Sequence, residues 1–225
     1  MPKSPTPPQP PVDGNPAGLR AQILSTEHWS LLASRTTTQN EVLSRISIFL
    51  TLVSATLVSL ALVGQATRFG TVFSMFAIAI LAFAAIVGFL TQIRVFNVSM
   101  EDLGYVIAMN RLRAAYAELS PGTDDAFMTS THDDQAGAAT TYYFLGPRRS
   151  RSQILGSTMV FIVVVNGALL GLLAAAVVMT ATSITVAAVV IGALISLIYI
   201  AVSMAIGSRP YFRFWKTHSA RNPTR

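Results

Sequence analysis

The chain contains no cysteine, which excludes disulfides and thiolate metal sites and suits a protein facing a reducing cytosol. Charge is scarce as well. Only 12% of the 225 residues are Asp, Glu, Lys or Arg, where an ordinary soluble domain carries about 25%. From Ser152 to Ser208 no charged residue and no histidine occurs over 57 positions, and Asn166, in "VVVNGALLGLL", is among the few strongly polar side chains there. With 52% hydrophobic residues and a mean hydropathy of +0.54, the chain falls outside the soluble class.

What is present is a set of apolar runs of membrane-crossing length, since a bilayer core about 30 Å thick needs roughly 20 helical residues. Arg45 and Arg68 bracket 22 uncharged residues, giving a first span near Ile46–Gly64; Arg68 and Arg94 bracket 25, giving a second near Thr71–Gln92. The 57-residue run would be about 85 Å long as one helix, so it has to fold back. The small polar stretch "MTATS", residues 179–183, is the natural break, leaving spans near Ser157–Thr180 and Ile184–Ile206. The expected fold class is therefore all-α, polytopic, with four transmembrane helices and a cytoplasmic helical extension. Residues 1–45, 94–151 and 209–225 hold 15 of the 16 basic residues. By the positive-inside rule both termini and the middle segment face the cytoplasm of an inner membrane. The first 45 residues hold no uninterrupted apolar core, so no cleaved leader is expected and span one doubles as the targeting signal.

The organisation reads as follows. Residues 1–15, with six of the eleven prolines, form a disordered tail, and 16–45 a cytoplasmic amphipathic helix with Asn15 as cap and Pro16 at its first position. Trp29, Leu32, Leu43 and Ile46 share its apolar stripe. "TTTQNE" reads as a capping box, with Thr38 as cap and Glu41 three residues on, so that helix is expected to break near Thr36–Thr38. Residues 46–92 form the first hairpin. Residues 93–120 extend span two as a stalk whose stripe Val98, Tyr105, Met109, Leu112, Tyr116 and Leu119 packs on the Trp29 helix. Residues 121–153 read as a flexible loop, 154–207 as the second hairpin and 208–225 as a basic tail.

Chemistry is conspicuous by its absence. Every Asp, Glu and His lies outside the spans, and no Walker-type loop, HExxH or paired-cysteine pattern occurs, so neither catalysis nor a cofactor is expected. Proton-coupled transport and voltage sensing, which use intramembrane ionisable groups, are disfavoured on the same ground. His132, Asp133 and Asp134 in "THDDQ" are adjacent in a loop and read as solvated rather than metal-binding. The spans offer small residues in stripes instead. Gly192, Ser196, Tyr199, Ser203 and Gly207 share one face of span four, while Gly167 and Gly171 form a GxxxG pair on span three with Asn166 at its edge. In one reading these faces pack spans three and four, with Asn166 bonding across that contact. In the other, a polar stripe that includes Ser47, Thr51 and Ser54 on span one lines a pore in a homo-oligomer.

Basic residues flank the second hairpin. Arg148, Arg149 and Arg151 precede it, and Arg209, Arg213 and Lys216 follow it among Tyr211, Phe212, Phe214 and Trp215. They are expected to meet anionic lipid headgroups, and nucleic acid is not an expected partner despite a pI near 10.2. The stretch "EHWSLLASRTTTQNEVLSRISIFLTLVSATLVSLALVGQ", followed by a second span and a later two-span hairpin, resembles a family of uncharacterised four-span bacterial membrane proteins. That resemblance implies the topology and a bacterial origin, and no activity. The functional expectation is a non-enzymatic, homo-oligomeric, pore-forming membrane assembly; the alternative is an accessory or scaffold subunit beside a larger membrane protein partner.

Overall fold

The computed structural model describes residues 16–144 and 156–224, which are helical with no strand. Four helices are long and apolar enough to cross a membrane: α1 (Pro16–Ala66), α2 (Thr71–Leu119), α4 (Thr158–Thr182) and α5 (Thr185–Thr217). The short α3 (Gln135–Tyr142) lies between the two hairpins. At about 1.5 Å per residue, the 51 residues of α1 and 49 of α2 reach far beyond a single bilayer core.

Each hairpin turn has a local cause. Arg68 and Phe69 adopt left-handed backbone at φ 50° and 57°, ending α1, and the Phe69 ring folds over Gly64, where even a Cβ would lie 2.5 Å from it. Ser183, at φ 55°, caps α4 and turns the chain into α5, inside the "MTATS" break. Laterally, α2 is flanked by α1 and α4, and α4 by α5. Their shared apolar core joins Val42, Ile46 and Phe49 of α1 to Leu81, Ala84 and Val95 of α2 and to Ile162, Val163 and Leu169 of α4.

Three expectations are corrected. First, α1 runs unbroken through Thr36–Thr38. The Thr36 and Thr37 hydroxyls bond back to the Leu32 and Ala33 carbonyls at 2.9 and 3.0 Å, so the polar run is satisfied within the helix and no cap is needed. Pro16 is its first residue, whereas Asn15 lies outside the described residues. Second, Trp29 is 71% exposed and Leu43 56%. Of the expected stripe Ile46 does face α2, and with it stand Arg35, Gln39, Val42 and Phe49, because ion pairs rather than a tryptophan make the contact beyond the apolar core. Third, residues 121–144 are not a featureless loop: a 3-10 turn (Thr123–Ala126) and α3 are pinned to α2. The remainder of that expected loop, and Arg148, Arg149 and Arg151, lie outside the described residues.

α5 likewise continues through Pro210 to Thr217, converting most of the expected basic tail into helix. A second, smaller core forms there, with Leu103, Val106 and Ile107 of α2 and Ala138 of α3 covered by Phe214 and Trp215.

Candidate functional site

Asn166 lies on α4, 1% exposed, and points at α2 rather than at α5. Its Nδ2 donates to the Gly88 carbonyl at 2.8 Å and to Gln92 Oε1 at 2.9 Å. The Tyr199 hydroxyl of α5 donates to the same Gln92 oxygen at 2.9 Å. One amide oxygen thus collects donors from two neighbouring helices. Three spans are joined by a polar node inside the apolar core, the setting in which an unmet polar group is costly and a met one fixes register. Asn166 Oδ1 has no hydrogen-bond partner among the described residues. Gly88 makes the node possible: a Cβ there would lie 2.1 Å from Asn166 Oδ1 and 2.7 Å from the Phe49 ring.

The expected hydrogen bond from Asn166 across the α4–α5 contact is therefore corrected. That contact is made by the small residues themselves. A Cβ on Gly171 would lie 2.8 Å from the Gly192 carbonyl oxygen, and one on Gly192 would lie 2.6 Å from the Gly171 carbonyl oxygen. Gly167 fits against Ile200 and Ser196, and Ser203 is 7% exposed. Without glycine the two backbones would separate, and in lipid, backbone proximity is a main source of helix association.

Ser47, Thr51 and Ser54 lie elsewhere. All three are exposed on the side of α1 turned away from α2. Ser47 and Thr51 bond back to the Leu43 and Ser47 carbonyls, both at 2.9 Å. Continuing the row, Asn40, Ser44 and Val58 are exposed at the same helical spacing.

Beyond the apolar core the contacts change character. The Asp102 carboxylate accepts from Arg35 Nε at 2.6 Å, Gln39 at 2.8 Å and Tyr142 Oη at 2.8 Å. Burial, with the Asp102 charge added, pushes the Tyr142 phenol well above its ordinary value. Arg94 bridges Glu41 and Glu101 at 2.8 and 2.7 Å, and Glu41 also takes Arg45. Asn110, fully buried, donates to the His132 carbonyl at 2.7 Å and accepts from Thr141 and Arg113.

Asp133 has the densest set of partners. It is 0% exposed and accepts from Arg111 Nε at 2.6 Å and from the backbone N–H groups of Arg221 and Asn222 at 3.1 and 2.8 Å. Burial pushes this carboxyl upward, but the Asn222 and Arg221 amides and the Arg111 guanidinium outweigh it and hold the group at about 2. Asp134 caps α3 through Gly137 N and also takes the Thr224 N–H and hydroxyl. His132 Nδ1 faces the Asn222 carbonyl, and His218 Nε2 the Asp133 carbonyl, at 3.2 and 2.9 Å. The "THDDQ" stretch thus receives the segment after α5 like a hook in an eye. Nothing in the sequence pairs residues 133 and 222, which lie 89 positions apart.

Sequence reasoning missed Gln92, which marked only a span end, and Gly88, whose role needs Phe49 and Asn166 in place to be visible. No family model, curated protein or solved structure matches the chain.

Proposed function

We propose that the protein is a non-enzymatic, homo-oligomeric membrane assembly of the bacterial inner membrane, with both termini and the charged ends of its helices in the cytoplasm. The single observation that supports self-association is the outward row on α1: Ser44, Ser47, Thr51 and Ser54 are exposed at the level of an apolar span. Lipid gains little from meeting hydroxyls and small side chains, whereas a second helix can approach closely over them. Copies joined through this face would bring Ser47, Thr51 and Ser54 toward a common axis, and these residues, rather than Asn166, would line a pore there.

The mass of the full chain purified in a mild detergent tests the reading. Self-association predicts a multiple of the 24.1 kDa protomer. A monomer overturns it, and a stoichiometric complex with a different membrane protein would put the accessory-subunit reading in its place.

A further inference from the structure

The charged residues that follow the apolar cores are neutralised on one side of the molecule and left open on the other. On α1 and α2, Arg45, Glu41, Arg94 and Glu101 form a chain of ion pairs with equal numbers of each sign. Arg209, Arg213 and Lys216 of α5 make no ion pair among the described residues; of the stretches outside them, 145–155 contain no Asp or Glu and 1–15 contain Asp13 alone. Gly207 packs against Phe96, and because α2 and α5 run in the same direction, Arg94 stands two residues before that contact and Arg209 two residues after it.

The rotation of α5 is fixed. Tyr211, Phe214, Trp215 and His218 recur at steps of three, one and three on one face. Phe214 and Trp215 cover the second core, and His218 stacks on Phe214 at 4.8 Å while bonding to the Asp133 carbonyl. Arg209, Phe212, Arg213 and Lys216 therefore occupy the opposite face, and all four are exposed, Phe212 by 59%. Pro210 has no N–H, so the Ile206 carbonyl lacks its helical donor, a group that water at the polar edge of a bilayer can satisfy.

We infer that this outer face of α5 is an anionic-phospholipid site, with Arg209, Arg213 and Lys216 drawing the headgroup phosphate and Phe212 entering the acyl boundary beside it. Cations with no counter-ion among the described residues keep their attraction for headgroups, whereas the α1–α2 set is neutralised within itself. The site rests on the membrane reading proposed above and is independent of self-association.

The test offers the full chain, in mild detergent, equal amounts of phosphatidylglycerol and phosphatidylcholine, and reads bound lipid by native mass spectrometry. The wild type should prefer the anionic lipid. Each single neutralisation, Arg209→Gln, Arg213→Gln or Lys216→Gln, should lower that preference by about fivefold, and the triple variant should abolish it. Arg209→Lys with Arg213→Lys should preserve it, as should Arg45→Gln in the neutralised set. A triple variant with wild-type preference overturns the site, as does an equal loss in Arg45→Gln. Displacement of the lipid by inorganic phosphate at millimolar concentration would also overturn it, by showing a soluble anion site. A preference lost while protomer mass multiples persist separates failure here from failure of the oligomer reading.

Discussion

The apolar core and the charged end of this molecule are held together by different physics, and α2 passes through both. Within the span, α2 meets its neighbours through glycines, apolar side chains and one amide node, Gln92 with Asn166 and Tyr199. Past Arg94 the same helix meets α1 through Arg35–Asp102 and Arg94–Glu41, and meets the "THDDQ" stretch, which in turn holds the segment after α5, through Arg111–Asp133. Where water cannot reach, association depends on close backbone approach. Where water competes, it depends on desolvated, multiply bonded charges such as Asp133, because single exposed pairs contribute little.

The largest effect should come from forcing apart the closest backbones. Gly171→Leu places side-chain atoms where the Gly192 carbonyl already stands 2.8 Å from a bare Cβ. Overpacking typically costs about 1–3 kcal/mol, and this substitution should lie at or above the top of that range, seen as loss of the folded fraction in detergent. If Gly171→Leu melts with the wild type, the glycine crossing does not hold α4 to α5.

Next is the hook. Asp133→Ala leaves Arg111 and two backbone amides without their buried acceptor, so about 3 kcal/mol of local stability should be lost. Hydrogen exchange at Arg221 and Asn222 reads this directly, and those amides should become unprotected while the spans stay protected. Because the folded carboxyl is held at about 2, below the ordinary 3.8, its stabilisation is present above the ordinary value. It should be lost as pH falls from about 4 toward 2. The Asp133 contribution, read as the difference in protection between wild type and Asp133→Ala, should therefore be constant from neutral pH down to about 5, and its loss already at pH 6 would contradict the assignment.

The amide node should be worth less. Asn166→Ala removes the bonds to Gly88 and Gln92, a loss of about 1 kcal/mol by the measured scale of interhelical hydrogen bonds in membranes. A cysteine at position 166 should resist water-soluble thiol reagents in folded protein; rapid modification would place this side chain in water. Smallest of all, Trp29→Ala should change chain stability by less than about 0.5 kcal/mol, since the ring is 71% exposed. A larger loss would mean that α1 packs over Trp29 after all.

These contrasts also explain what the sequence disclosed. Span number and the Ser183 turn were legible because uncharged length is a one-dimensional property. The GxxxG pair was legible for a related reason, as Gly167 and Gly171 declare their shared face by spacing alone. The direction Asn166 faces was not legible, since its partners Gly88 and Gln92 lie on a helix more than 70 residues away in sequence. The continuity of α1 is not fixed by the sequence pattern because Thr36–Thr38 can cap a helix or bond back into one. The hook, like the direction of Asn166, is invisible because its partners are distant in sequence.

Self-association through the outward row of α1 is the central claim, and the absence of native cysteine makes it directly testable. Thr51→Cys, the only cysteine in such a chain, should form a disulfide between copies in native membranes under mild oxidation. Leu90→Cys, exposed on α2, should not. Efficient cross-linking at 51 with none at 90 is the predicted result; a Thr51→Cys chain that remains monomeric, or that links no better than Leu90→Cys, would contradict the account.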